Sequence, residues 1–309
     1  MTIVVNIKEL LEAGAHFGHN TSRWHPKMAP FIHSQRAGNH IIDLTKTVEA
    51  LNKALAFLTE TVSEGKQVLL VSTKRQAKEG VKAVAMATKM PYVTERWLGG
   101  MLTNQNTIGG RIKHLKDMES RMLSGELAAR YSKLEVQRLQ DEIDDMNHIY
   151  GGIKEMAAKP GAVFVLDMLE DINAVREARK LGIPIVGLAD SNVNPGLADY
   201  PIPCNDDATK TIALVLDYAQ QAIVGGQAKV KAPEKAEDQT AEISSETTII
   251  KTEAPEPEKS GLAVKIPTKQ TKTPDKPRVK NATLKKENKA KPAKPEAKRT
   301  ADSGQRSEK

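Results

Sequence analysis

The sequence predicts an α/β fold in which a doubly wound, mainly parallel sheet carries helices on both faces. Three continuous apolar runs, at residues 67–73, 162–167 and 183–190, have the length and composition of strands that are covered on both sides. Amphipathic segments of helical period alternate with these runs. Buried strands that alternate with helices build a parallel sheet, and the arrangement predicted here is of the flavodoxin or Rossmann type.

The remaining elements are predicted from the amino terminus onward. Apolar spacing of three and four indicates helices at residues 7–15 and 43–64, the second of which ends at Gly65. The stretch between them is rich in His, Pro and Gly, which indicates a loop with short strands near Phe31 and His40. Further elements are a short strand at residues 91–93 and helices at residues 75–89, 172–181 and 207–224.

An insertion of a different kind lies between the second and third strand–helix units. Its two apolar stripes consist of Ile108, Ile112, Leu115, Met118 and Met122, then of Ser132, Val136, Leu139, Ile143, Met146, Tyr150 and Ile153. Two such helices joined by a tight turn at Ser124-Gly125 predict an antiparallel coiled-coil hairpin over residues 104–157. The hairpin either has only a structural role or extends from the domain to contact a partner.

The last part of the chain has the composition of a disordered segment. Residues 228–309 hold 20 Lys and Arg, 13 Asp and Glu, 8 of the 16 prolines and no aromatic residue, so they cannot bury enough apolar surface to offset the entropy of ordering. Basic residues are concentrated in residues 259–309, which fits either an electrostatic RNA tether or a passive solvated tail. The predicted organisation is therefore a globular domain at residues 1–227, which includes the hairpin, and a tail at residues 228–309.

The charge of the globular part is unevenly distributed. The net charge of the chain is +7, yet residues 1–227 carry 26 basic and 26 acidic side chains. Residues 1–116 have 16 basic and 8 acidic side chains, whereas residues 117–227 have 10 and 18. Either the two halves mix after folding, or the first presents a basic face to a polyanion. The absence of a membrane-spanning apolar run and of a secretory signal, together with a single cysteine, Cys204, predicts a cytoplasmic protein.

The turn after the first buried strand does not have the glycines of a nucleotide-binding loop. A phosphate-binding turn at this place needs a Gly-rich motif so that the backbone can approach the phosphate, and residues 72–77 contain no glycine. A nucleotide site in the usual position is therefore not expected. Lys74 and Arg75 instead lie at the start of a predicted helix, where their charges suit a phosphate. The alternative is a solvated helix cap.

Two groups of residues have the composition of a metal or acid–base site. His16 and His19 have the spacing of a partial zinc site, but no second pair with matching spacing follows. Packing or RNA contact is the expected use of the histidines in this part of the chain, which are His16, His19, His25, His33 and His40. Asp190, Asp206 and Asp207 resemble paired carboxylates for acid–base work, but Asp207 precedes a predicted helix and is explained more simply as an N-cap. No metal, cofactor or catalytic residue is predicted.

The segment at residues 92–104 carries a stronger indication of RNA contact. Trp97 beside Arg96 offers a stacking surface and a positive charge, and Gly99-Gly100 lets the backbone come close to a partner. A tight loop around a buried Trp explains the same residues about as well. From the residues alone, the chain is thus a cytoplasmic α/β binding protein with nucleic acid as a candidate partner.

Several motifs resemble, in their order along the chain, those of the bacterial small-subunit ribosomal protein S2 family. They are LEAGAHFGH from Leu11, WHPKM from Trp24, TKRQA from Thr73, ERWLGGMLTN from Glu95 and NDDA from Asn205. The resemblance covers about residues 7–224. A departure is Ser22, where the family usually has an Arg that contacts RNA, and the neighbouring Arg23 is expected to take its place.

The resemblance implies a structural constituent of the small ribosomal subunit in the cytoplasm, not an enzyme. It implies contacts with small-subunit ribosomal RNA and with other small-subunit proteins, a hairpin that reaches between head and body, and help in anchoring ribosomal protein S1, which captures messenger RNA. No cofactor, membrane or small-molecule substrate is implied. A cytosolic α/β enzyme and a free adaptor built on the hairpin remain as alternatives. The candidate RNA-binding residues are Arg23, Trp24, Lys27, Arg36, Lys74, Arg75, Arg96, Trp97, Asn104, Arg111 and Lys113.

Overall fold

Two β-sheets form the framework of the molecule. The structure is a computed structural model that describes residues 3–157 and 159–245. Its strands are β1 (Phe17–Asn20), β2 (Ile32–Arg36), β3 (Asn39–Ile42), β4 (Val68–Val71), β5 (Tyr92–Val93), β6 (Ala162–Val165), β7 (Ile185–Ala189) and β8 (Tyr200–Pro203). Strands β1, β3 and β2 form a small antiparallel sheet in that order. The other five strands form a parallel sheet in the order β5-β4-β6-β7-β8.

Helices follow the strands of the parallel sheet, which confirms the predicted fold class. The α-helices are α1 (Ile7–Ala13), α2 (Leu44–Ser63), α3 (Lys78–Thr88), α4 (Gln105–Leu123), α5 (Glu126–Arg130), α6 (Lys133–Tyr150), α7 (Ile172–Lys180) and α8 (Thr209–Ser245). The strand order is the 2-1-3-4-5 order of flavodoxin-like folds, counted from β4. The order reverses between β4 and β6, and ligands of such folds bind beyond the carboxyl ends of these strands.

The apolar core is divided between the two faces of the parallel sheet. In β4, Val68 and Leu70 pack into one cluster with residues of α2, α3 and α8, while Leu69 and Val71 pack into the other with residues of α7. Each fully buried aliphatic side chain stabilises the fold by about 1.5–3 kcal/mol relative to exposure. Burial on both faces explains why the strand is continuously apolar in sequence.

Two strands were not predicted. β8 contains Pro201 and Pro203, which cannot donate to a ladder, but β8 is an edge strand and pairs with β7 alone. β1 is short, contains Gly18 and pairs with β3 in an irregular register, so it has no alternating apolar pattern.

The small sheet presents a tight hairpin. β2 and β3 pair from Ile32 to Ile42 and are joined at Ala37 and Gly38, whose φ angles are 51° and 79°. Two central residues with positive φ are typical of the two-residue turns that match the twist of paired strands. This turn places Arg36 opposite Asn39 at the end of the hairpin.

The last helix is longer than the sequence predicts. α8 runs to Ser245, so residues 228–245 continue a helix where the tail was expected to begin, in a segment rich in Ala, Lys and Glu, which favour helix. Residues 246–309, the remainder of the predicted tail, lie outside the described part of the chain. In the described part, no helix has the length and apolar character needed to cross a membrane.

The inserted segment contains three helices. α4 and α6 pack on each other through the buried side chains of Leu115, Met118 and Ile143. The tight turn predicted at Ser124-Gly125 is wrong in extent, because the short helix α5 lies between α4 and α6. Helix α6 begins after Ser132, whose hydroxyl and backbone N–H both donate to the carboxylate of Glu135 at 2.9 Å. Coiled-coil geometry for this hairpin stays a prediction.

Candidate nucleic-acid interface

Four of the predicted RNA-binding residues lie in residues 17–42, the segment that contains the small sheet. Arg23, Trp24, Lys27 and Arg36 are all exposed. The backbone N–H of Thr21 donates to the carbonyl of Gly38 at 2.9 Å, which ties the segment that carries Arg23 and Trp24 to the β2–β3 turn beside Arg36. None of the three cations is paired with a carboxylate among the described residues. Their charges are therefore free for a phosphate backbone.

Trp24 lies against a buried histidine of β3. The indole is 37% exposed, and its ring centroid lies 5.1 Å from that of His40, with 44° between the ring planes. His40 is 9% exposed, and neither of its ring nitrogens has a hydrogen-bond partner in the part of the chain that the structure describes.

Trp97, by contrast, is a structural residue. It is 7% exposed, and its indole N–H donates to Glu177 of α7 at 3.1 Å. The same carboxylate accepts from the backbone N–H groups of Gly100 (2.7 Å), Leu102 (3.0 Å) and Thr103 (3.1 Å). Burial acts to raise the pKa of Glu177, but these hydrogen bonds outweigh it and hold the pKa below its usual value. The expected stacking role of Trp97 is therefore not available, and the buried-Trp alternative describes this loop.

Arg96, next to Trp97, remains free. The adjacent Glu95 is held by the ammonium groups of Lys78 and Lys82 at 2.7 and 2.8 Å. These hydrogen bonds lower the pKa of Glu95 to about 2, so Glu95 stays ionised and engaged with α3. Arg96 points its exposed side chain to solvent without an ion pair to any described residue.

Three further predicted residues follow along the start of the inserted segment. Asn104 precedes α4, and Arg111 and Lys113 lie within α4. All three side chains are exposed, and within the described ranges neither cation meets a carboxylate. They form a second group, apart in sequence from that of the small sheet.

Lys74 does not have the free charge that the sequence suggests. Its ammonium lies 2.6 Å from Asp207, 2.8 Å from Asp206 and 3.2 Å from Asp167, and the side chain is 12% exposed. Burial acts to lower the pKa of Lys74, but its hydrogen bonds with Asp206 and Asp207 outweigh burial and raise it. The prediction that Lys74 contacts phosphate is corrected, because three carboxylates already surround it. Arg75 next to it is exposed and remains a candidate.

Carboxylates also fill the place where doubly wound folds bind nucleotide phosphates. Asp171 accepts hydrogen bonds from the backbone N–H and the hydroxyl of Thr73, both at 3.0 Å, at the end of β4. Burial raises the pKa of Asp171 to about 6. Burial and the neighbouring Asp167 raise that of Asp206 to about 7. The turn without a Gly-rich motif is therefore bordered by carboxylates and by Lys74.

His19 joins this acidic group rather than a zinc site with His16. Its Nδ1 lies 3.0 Å from Asp190 and its Nε2 lies 3.3 Å from Asp207. The hydrogen bond with Asp190 raises the pKa of His19. Ligand atoms of His19, Asp206 and Asp207 lie within 4.8 Å of one another, near enough to share a cation. The ammonium group of Lys74 already pairs with Asp206 and Asp207 at 2.8 and 2.6 Å.

The sequence does not indicate the structural role of two carboxylates at this site. Glu177 and Asp171 accept hydrogen bonds from residues far away along the chain. A carboxylate in the apolar face of α7 is the signal that could have indicated Glu177. Nothing in the local sequence distinguishes Asp171.

Comparison with known proteins identifies the family of this chain. Residues 10–226 match the family described as ribosomal protein S2. The chain belongs to the ribosomal protein S2 family. It is 46% identical over 224 residues to small ribosomal subunit protein uS2 of Roseiflexus sp. (strain RS-1), a match that covers 72% of this chain and 85% of the relative.

Other members of the family give similar values. The protein of the same name from Chloroflexus aggregans is 48% identical over 223 residues, 72% of this chain and 93% of its own. That of Dehalococcoides mccartyi (strain BAV1) is 44% identical over 242 residues, 78% and 98% of the two chains. Ribosomal protein S2 is a structural component of the ribosome and not an enzyme.

Proposed function

We propose that this chain is built into the small ribosomal subunit in the cytoplasm, binds small-subunit ribosomal RNA and contacts other small-subunit proteins. The match of residues 10–226 to the ribosomal protein S2 family carries this proposal. It is supported by exposed cations without ion pairs in the described residues, and by an acidic crevice where an enzyme of this fold would bind its nucleotide.

The RNA contacts divide between the two groups described above. Arg23, Lys27 and Arg36 of the small sheet neutralise one stretch of phosphate backbone. Arg96 and the exposed residues of α4 neutralise another, so that the hairpin of α4, α5 and α6 reaches from the body toward the head of the subunit. Each neutralised phosphate releases counterions, and binding weakens as salt rises. The acidic second half of the chain is left for protein contacts, including help in anchoring ribosomal protein S1.

Sedimentation of a cell lysate tests this proposal. The tagged full-length chain should travel with small subunits through a sucrose gradient and should bind purified small-subunit ribosomal RNA in a salt-dependent way. A chain that stays at the top of the gradient and binds no ribosomal RNA would contradict the proposal and favour a free adaptor. A second gradient of subunits stripped of the chain should show less S1 than subunits to which the chain is returned.

A further inference from the structure

His40 is a buried side chain whose hydrogen bonds are left unmade. A neutral imidazole carries one donor and one acceptor, and in the described part of the protein neither ring nitrogen of His40 meets a partner. Buried polar groups almost always have partners, because an unmade hydrogen bond costs free energy. Position 40 lies on the central strand of the small sheet, paired with both β1 and β2. A partner from outside the chain would supply what is absent.

Trp24 is the aromatic side chain that lies against this histidine. Its ring lies in a tilted arrangement, 5.1 Å from the imidazole between centroids, and is 37% exposed. The backbone on either side is anchored, since the backbone N–H of Thr21 donates to Gly38 at 2.9 Å and that of His25 donates to Ser191 at 2.7 Å. An exposed indole on an anchored segment thus adjoins the imidazole whose nitrogens have no partner among the described residues.

The chemistry of the pair specifies a flat partner with hydrogen-bonding groups at its edge. A nucleobase has this form: its face stacks on an indole, and its edge offers donors and acceptors to an imidazole. Arg36 is on the same sheet, Arg23 adjoins Trp24 and Lys27 lies three residues after it. These unpaired cations favour a polyanion over a protein side chain. A base within a duplex has neither its face nor its pairing edge free, so the partner is an unpaired nucleotide.

We propose that Trp24 and His40 form a binding site for one unpaired RNA base. The indole turns away from the imidazole and stacks on the base, and a ring nitrogen of His40 forms a hydrogen bond with the edge of the base. Arg23, Lys27 and Arg36 hold the phosphates on either side. This site rests on the proposed RNA-binding function and adds to it a contact that depends on base identity as well as on charge.

Three variants test the site in the full-length chain. Trp24→Ala removes the stacking surface, Trp24→Phe keeps part of it, and His40→Phe keeps a flat ring without nitrogens. The probes are purified small-subunit ribosomal RNA and four single-stranded RNA nonamers, each of one base. Stacking on an aromatic side chain accounts for about a 5- to 150-fold difference in affinity per base. We expect Trp24→Ala to lose affinity for ribosomal RNA within that range, at an unchanged salt slope, because no charge is removed.

His40→Phe should reduce the spread of affinities among the four nonamers, and Trp24→Phe should bind between Trp24→Ala and the unaltered chain. If the unaltered chain binds ribosomal RNA and both Trp24→Ala and His40→Phe bind as it does, the base site is wrong and the proposed function stands. Failure of the unaltered chain to bind ribosomal RNA would overturn both the base site and the proposed function.

Fluorescence gives a second measurement that does not depend on the folding of any variant. Because Trp97 is buried and bonded to Glu177, a change in emission on adding the nonamers reports Trp24. Stacking on a base should quench the emission of the unaltered chain at saturating nonamer. Unchanged emission at saturation would overturn the site.

Discussion

Lys74 and Arg75 are neighbours in the chain with opposite surroundings. Lys74 is enclosed by three carboxylates, whereas Arg75 is exposed and has no ion pair within the described ranges. Breaking a buried pair leaves charge without compensation and typically costs about 3–5 kcal/mol. We therefore expect Lys74→Ala to lower the free energy of unfolding by about 3 kcal/mol or more. Arg75→Ala should leave unfolding unchanged and weaken RNA binding.

Denaturant unfolding and filter binding to ribosomal RNA distinguish the two roles, with each variant serving as the control for the other. A Lys74→Ala chain as stable as the unaltered one would show that the three carboxylates do not need its charge.

The buried carboxylate of Asp206 makes stability depend on pH. Its pKa in the folded chain is raised from 3.8 to about 7 by burial and by Asp167. A raised pKa stabilises the folded state fully below the unfolded value, and this contribution is lost as pH rises through the folded value. The free energy of unfolding should therefore fall between about pH 4 and pH 7 on account of Asp206.

Asp206→Asn removes that titration and keeps an oxygen that can accept from Lys74. Urea unfolding at pH 5 and pH 8 should show a smaller fall for Asp206→Asn than for the unaltered chain. Equal falls would mean that Asp206 is not the titrating group.

For single residues, the sequence shows the type of each side chain but not which residues surround it in the folded chain. Trp24 and Trp97 both follow an Arg in short polar segments, yet one is exposed and the other is buried. The difference arises from Glu177, 80 positions away from Trp97. The fold brings such a partner into contact, and the sequence next to Trp97 does not indicate it.

The positions of helices and strands are better predicted than the surroundings of single residues. Burial on one or both faces of an element requires apolar residues at a regular spacing, and this spacing is visible in the sequence. The three apolar runs predict β4, β6 and β7, and the three-four spacing predicts α2 and α7 to within a few residues. β8 was not predicted, because proline is excluded from central strands but tolerated at the edge of a sheet. α5 was not predicted, because a helix of five residues is shorter than two turns and shows no apolar period.

The packing between α4 and α6 gives a prediction at this scale. Ile143 is buried in the cluster that holds the two helices together. Ile143→Asp places a charge without a partner in an apolar contact, which should cost several kcal/mol locally. Hydrogen exchange should then show loss of protection in α4 and α6, while β4 and β6 keep theirs.

Glu142→Asp, which introduces the same residue at the exposed neighbouring position, is the matched control and should leave protection unchanged. Simultaneous loss of protection in the hairpin and in the parallel sheet would contradict the modular character of the insertion.

Over the whole molecule, cations of the basic half are divided between the crevice of the parallel sheet and the exposed surface. Lys74 of the first half lies among Asp167, Asp206 and Asp207 of the second, so the two halves mix in the crevice of the sheet. Arg23, Lys27, Arg36, Arg96, Arg111 and Lys113 remain exposed and, in the part of the chain described here, without ion pairs. The two halves therefore mix at Lys74, and a basic face for a polyanion stays a prediction for the exposed cations.

The tail supplies a further prediction at this scale. Residues 246–309 carry 17 Lys and Arg against 9 Asp and Glu, and a basic tail that follows a phosphate backbone adds salt-sensitive affinity. Truncation after Ser245 keeps α8 whole, and we expect lower affinity for ribosomal RNA at low salt and a shallower salt slope. The thermal unfolding midpoint should not change. Superimposable binding curves would show that the tail is only solvated.

The proposed RNA contacts of Arg23, Lys27 and Arg36 are tested most directly by the salt slope of ribosomal RNA binding. The variant has all three residues changed to Ala. Each lost phosphate contact should reduce the slope by about 1, so we expect a slope shallower by about 2 to 3. A chain with Lys133, Lys180 and Lys210 changed to Ala loses the same charge from exposed positions of the acidic half and should keep the original slope. Equal slopes for both triple variants and the unaltered chain would show that these three cations do not bind RNA phosphates.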